Sequence, residues 1–296
     1  MRNYFLLTLI LFGSFSITAQ KILITNLEVD KLNSPHGLDN KNPKFSWIID
    51  TDHYNVLQTH YQVFVATDKV FSKNSLVWDS GKVASEESVY VNYLGKELTY
   101  DTQYFWTVKV WTNKSKRSSQ SKVSSWKTGL MDKQNWKSNW ITVNNEDMTS
   151  PKIPYFINDF RVDSKIISAN LYITSRGVYE AHINGKRIGD AILTPGWTSY
   201  SNRIQYQAYD VMEMLLTGEN RIGVMLADGW YRNFRQNRKN RIVDYGERTS
   251  FISELIISYE DGRKESIIDE KNWSYNFGPI LSSSIYNGER IVVIIF

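Results

Sequence analysis

Leu193-Thr194-Pro195-Gly196-Trp197-Thr198-Ser199-Tyr200 and Asp228-Gly229-Trp230-Tyr231-Arg232 are the two stretches that decide how this chain folds. Each sets a Gly-Trp step beside a second aromatic and a polar partner. Such a step suits a stiff loop presenting a flat ring, either to stack on a sugar or to close one end of a β-sandwich. Between them, residues 204–226 read as a strand, a short helical turn and a second strand. Asp210 can cap the exposed N–H groups of that turn, Glu213 stands where a capping-box acid belongs, and Gly218 suits a left-handed stop.

Upstream, the pattern is short strands at hairpin spacing. Phe45-Ser46-Trp47-Ile48-Ile49 and Tyr61-Gln62-Val63-Phe64-Val65-Ala66 alternate with period two, as half-buried strands do. Within residues 98–111, Tyr104, Trp106, Val108 and Val110 share one face, with Thr107 and Lys109 on the other. Leu98 followed six residues later by Tyr104 predicts a tyrosine corner, the phenol reaching back to the backbone. Trp47 and Trp106 read as core rings. Residues 131–140 are polar around Trp136 and read as a linker. Beyond it, residues 169–174 alternate, and Asn184-Gly185 between apolar flanks predicts a tight hairpin whose two turn residues take positive φ. Asp261-Gly262 predicts a second.

Composition narrows the function. With 10 Trp, 18 Tyr and 13 Phe the chain favours strands. The net charge of +4 is too small and too evenly spread to imply nucleic acid. The densest basic run, 232–241, lacks a scaffold for reading a groove. No cysteine is present, which excludes disulfides, thiol catalysis, zinc-thiolate sites and a lipidated anchor. The four histidines are scattered without paired-ligand spacing, so neither a transition metal nor a cofactor is expected, although a loop calcium site would leave little trace. Arg2, an apolar run over 5–12 and Ile17-Thr18-Ala19 before Gln20 read as a signal peptide over 1–19. That run is shorter than the about 20 residues a membrane span needs. The expectation is an exported protein, periplasmic or secreted, cleaved after Ala19 and free of the membrane.

In order and spacing, the two Gly-Trp loops and the segment between them resemble the amino-terminal β-sandwich of bacterial α-L-rhamnosidases. Pro43-Lys44-Phe45-Ser46-Trp47, Trp78-Asp79-Ser80-Gly81-Lys82-Val83 and Lys127-Thr128-Gly129-Leu130 are similar to the phrases preceding that domain in the family. The earlier unit resembles a fibronectin type III or immunoglobulin-like sandwich. The expected fold is therefore all-β: two β-sandwiches in series, with one short helix. The first covers 20–130, and the second, a jelly-roll of galactose-binding-like type, covers 131–289. An unmatched apolar tail, 290–296, follows. The resemblance covers about residues 43–289 and only the leading part of the family. It implies a parent reaction of inverting hydrolysis of terminal α-L-rhamnosyl bonds, with both glutamates in a downstream α/α toroid. No residue here matches those glutamates, so none is expected to be catalytic.

An inverting glycosidase needs two carboxyl groups about 6.5–9.5 Å apart. Asp228 beside Trp230, and Asp244 with Glu247, are the nearest candidates, but Asp228-Gly229 reads more simply as a turn. Sugar contact is the better expectation, with Trp197, Tyr200, Trp230 and Tyr231 as rings and Asp228 and Arg232 bonding hydroxyls. The same rings could instead plug the sandwich or seal it against a neighbouring domain, and this reading carries more weight. The function expected is the non-catalytic portion of a rhamnosidase-like glycoside hydrolase, acting as scaffold or contacting a rhamnose-containing oligosaccharide or polysaccharide, with room for a separately encoded catalytic domain. The alternatives are a freestanding carbohydrate-binding module and a structural interaction protein.

Overall fold

A computed structural model of the chain describes residues 22–144, 152–232, 245–267 and 270–292, together with the short strands Arg235–Gln236 and Arg241–Ile242. Strands dominate, and they form two face-to-face pairs of sheets.

The first pair sets the strands Leu23–Val29, Lys44–Asp50 and Val91–Asn92 against a larger sheet running His36–Leu38, Ser124–Thr128, Gln103–Thr112, Gln58–Ala66 and Leu76–Asp79. Period-two alternation sends Phe45, Trp47, Val63, Trp106 and Trp126 into the space between them. The Phe45 ring sits at the centre, its centroid 4.6 Å from Trp106 and 5.5 Å from Trp126. Trp47 and Trp106 are core rings, as expected. So is the tyrosine corner formed: the Thr99 N–H donates to Tyr104 Oη at 2.8 Å. Thr107 is buried although it lies on the outer face, and its hydroxyl is satisfied by Ser121.

The second pair joins a five-stranded sheet, ordered Lys186–Arg187, Val178–Ile183, Gly218–Ala227, Pro154–Val162 and Ser274–Phe277, to a four-stranded one, ordered Gln207–Asp210, Ile166–Arg176, Ser250–Tyr259 and Lys264–Ile267. Phe156, Ile222 and Val224 from one sheet meet Leu171, Phe251 and Leu255 from the other in a single apolar core. The Asn184-Gly185 hairpin forms with φ of 51° and 77° at the turn residues. The Asp261-Gly262 connection differs. Of its two residues only Gly262 has positive φ, and Asp261 uses its carboxylate to accept the Arg263 N–H. The expected helix shrinks to a three-residue 3-10 turn, Met212–Met214. Its cap position is held by Val211, which makes no side-chain cap bond, while Asp210 one residue earlier accepts the Met212 N–H at 3.1 Å. Its extension is stopped by Asn220, whose buried side chain accepts the Leu216 N–H and donates back to the Leu216 and Gly218 carbonyls. The end of the chain pairs Gly288–Ile291 with Ile280–Ser284, and the rest of the apolar tail, 293–296, lies outside the described residues.

The strand Ser250–Tyr259 is buried on both faces, so apolar residues occupy both, as in Leu255-Ile256-Ile257. Its odd-numbered residues face the sandwich core. Its even-numbered residues, with Tyr172 across the ladder, lie under the first sandwich and the linker. There Tyr172 donates to Asp101 Oδ1 at 2.7 Å, and Lys127 and Lys264 reach the same carboxylate at 3.1 and 2.7 Å. Tyr206 donates to Asp39 and accepts the Leu130 N–H at 2.9 Å. A Cβ on Gly129 would stand 2.0 Å from Tyr206 Oη, so this crossing requires glycine.

Candidate functional site

The loop carrying Trp197 is fixed from both ends. Tyr179, at the start of Val178–Ile183, exchanges backbone and side-chain bonds with Thr194: its N–H donates to the Thr194 carbonyl at 2.9 Å, and the Thr194 hydroxyl donates to the Tyr179 carbonyl at 2.8 Å. Gly196, at φ 99°, then turns the chain so that its carbonyl accepts the Tyr200 hydroxyl at 3.1 Å. The second loop leaves the end of Gly218–Ala227. Gly229, at φ 54°, crosses so close to Val178 that a Cβ would meet that side chain at 2.6 Å. Two glycines thus bring the two Trp-bearing loops to one end of the second sandwich.

There the rings assemble. Trp197 and Trp230 lie parallel within 6°, centroids 6.2 Å apart. Tyr200 is buried and packs edge-on to Tyr231 at 5.2 Å and tilted against Tyr245 at 5.0 Å. Burial, with Tyr245 adding to it, pushes the Tyr200 phenol up to about 12, so it stays neutral and acts as a hydrogen-bond donor. Trp197 is the open member, 63% exposed, with its indole N–H tied to Tyr245 Oη at 3.0 Å. Trp230 and Tyr231 are half-buried.

Asp228 and Arg232 do not face solvent. Arg232 is fully buried, its Nε donating to Asp228 Oδ1 at 2.8 Å and its Nη2 standing 2.7 Å from the same oxygen. Asp228 is 5% exposed. The turn read in the sequence is present, but its carboxylate is spent on a guanidinium four residues on, beneath the rings. The carboxylate and the guanidinium are thus bonded to each other beneath the rings rather than presented at the surface. Asp244 lies outside the described residues, and Glu247 is exposed, its carbonyl 3.4 Å from Arg232 Nη1. Among the described residues no group of three or more histidine, aspartate or glutamate side chains converges as metal ligands would, and no helix is long and apolar enough to cross a membrane.

Tyr245 was not foreseen, although it ties Trp197 to Tyr200. Its signal was the Tyr-Gly step at 245–246: a Cβ on Gly246 would meet Tyr231 Oη at 2.2 Å, so that glycine exists to let the phenol through.

Comparison with known proteins identifies both sandwiches. The family described as "Alpha-L-rhamnosidase N-terminal domain" matches residues 164–292, and "Rha78A-like, N-terminal immunoglobulin domain" matches residues 24–132. An α-L-rhamnosidase of Formosa agariphila is 32% identical over 96% of this chain and 33% of its own length. One from Alteromonas sp. is 31% identical over 87% and 29%. The structure of α-L-rhamnosidase from Dictyoglumus thermophilum superposes with a TM-score of 0.81 at 36% identity, covering 90% of this chain and 31% of that one. The chain thus spans about a third of the length of these relatives.

Proposed function

Because residues 24–132 and 164–292 are the two amino-terminal domains of the α-L-rhamnosidase family, we propose that the chain is the non-catalytic, glycan-contacting portion of an exported α-L-rhamnosidase-type glycoside hydrolase. The observation that carries this reading is Trp197: an indole 63% exposed, held flat by its bond to Tyr245 and by the parallel Trp230 ring, above a packed aromatic plug. A pyranose offers an apolar C–H face to such a ring while its rim stays hydrogen-bonded to water. The parent reaction, hydrolysis of terminal α-L-rhamnosyl bonds, needs two free carboxyl groups, and Asp228 is not one.

A docking role draws on a specific observation too. Ile192 and Leu193 are 77% and 49% exposed in the approach to Trp197, a ridge that another polypeptide could cover.

The test is twofold: release of nitrophenol from p-nitrophenyl α-L-rhamnoside, and calorimetric titration with an α-L-rhamnosyl oligosaccharide, on purified chain and on Trp197→Ala. No turnover, with binding that weakens in the variant, is expected. Turnover would overturn the non-catalytic assignment. Binding unchanged in the variant, or absent from both, would remove Trp197 as the platform and leave docking.

A further inference from the structure

We infer that a second site, distinct from the Trp197 platform, takes the acidic group of a carboxylated or sulfated saccharide in the cleft between the linker and the second sandwich. The cleft encloses about 470 Å³, within the size range of small-molecule sites. Its floor is the outer face of the four-stranded sheet where Thr174 pairs with Ile252, just past the stretch covered by the first sandwich. The linker, from Lys133 to Trp140, makes one wall and residues 200–206 the other.

Charge sets the ligand class. Lys133, Arg176 and Arg203 all line this space, and all three are exposed. No aspartate or glutamate lines it among the described residues. Carboxylates of the adjoining sheet and linker are committed elsewhere: Asp132, beside Lys133, pairs with Lys41 at 2.6 Å, Asp39 accepts Tyr206 and the Met131 N–H, and Glu254, fully buried, accepts the Lys137 N–H at 2.8 Å. Three cations converging on one concave surface without an acid raise the local concentration of anions. Arg176 is also held in place, its guanidinium lying over the Trp140 ring with Cζ 4.6 Å from the centroid. A guanidinium so placed keeps its N–H edge free, and that edge matches two oxygens of a carboxylate or sulfate. Asn139, Asn202 and the Tyr200 ring supply polar and aromatic groups for the rest of a sugar.

The Trp197 reading is not needed for this site, because Tyr200 alone lies between the two. The experiment titrates the purified chain with trigalacturonate, sulfated maltotriose and neutral maltotriose, followed by calorimetry and tryptophan fluorescence. At least one acidic probe should bind tenfold or more tighter than maltotriose, weaken as salt rises, and lose tenfold or more in the double variant Arg176→Ala, Arg203→Ala. The same two-charge loss in Lys116→Ala, Lys186→Ala should leave binding unchanged. Which acidic probe binds identifies the carboxylate or the sulfate as the recognised group. Equal binding of acidic and neutral probes, retention in the double variant, or an equal loss in the control pair would overturn the assignment. Should the double variant fail to fold, Arg176→Lys serves: it keeps the charge but loses the two-pronged geometry, and it should still weaken acidic binding while leaving α-L-rhamnosyl binding untouched.

Discussion

The Tyr172 phenol, in the second sandwich, donates its proton to Asp101 Oδ1 in the first at 2.7 Å, with both side chains sealed from solvent. Burial and the Asp101 charge push that phenol's pKa up, so it remains a donor at every working pH. Lys127 and Lys264 complete the carboxylate's shell. The two sandwiches are thereby joined through a buried charge that both units must satisfy.

Tyr172→Phe should therefore cost about 1–3 kcal/mol, read as a lower urea midpoint. Lys264→Ala should cost less, because Lys264 is partly exposed and its attraction is screened. A larger effect from Lys264 than from Tyr172 would mean that the junction is held by charge rather than by the buried hydrogen bond.

Glu254 gives the fold a pH dependence of known sign. Burial raises its pKa above the ordinary glutamate value, opposed mainly by the Lys137 N–H. The contribution of this carboxyl to stability is fully present below its ordinary pKa and is lost as pH rises through the raised one, where a buried charge must form. Glu254→Gln keeps an acceptor for Lys137 and removes that charge. Its melting temperature, relative to the parent protein, should rise more at pH 7 than at pH 4. An equal change at both pH values would show that Glu254 titrates normally.

Breaking the Asp228–Arg232 pair singly should be severe. Asp228→Asn or Arg232→Met removes one half of a buried ion pair and should cost about 3–5 kcal/mol. The double variant Asp228→Leu, Arg232→Met should lose less than the sum, a coupling that a double-mutant cycle in denaturant measures. If the single changes are mild while rhamnoside binding disappears, the pair contacts ligand after all.

Trp197→Ala should leave stability within about 0.5 kcal/mol, since the ring is largely in solvent. Its sugar binding should fall about twofold to tenfold, corresponding to about 0.5–1.5 kcal/mol for a lost aromatic stacking contact. Thermal melts run beside the titrations separate the two effects.

The sequence by itself determined the strands and their tight turns, because these depend on local chemistry: alternation at 45–49 and 61–66, positive φ at Asn184-Gly185, and the reach of Tyr104 to Thr99. It also singled out the two Gly-Trp loops, which the fold brings to one end of the second sandwich. It did not tell which of the six residues there stay in solvent. Trp197 and Arg232 are both loop residues beside an aromatic, yet one is open and the other is fully buried. Exposure depends on what packs above a residue, and here that is Tyr245 and the crossing at Gly229, which come from distant parts of the chain. The helix expected at 210–216 was likewise reduced to a 3-10 turn by the Asn220 side chain, a bond that helix-capping rules do not anticipate. The cationic cleft was invisible for the same reason. Lys133, Arg176 and Arg203 are unremarkable singly, and only the docking of the linker against the outer face of the second sandwich brings their charges together.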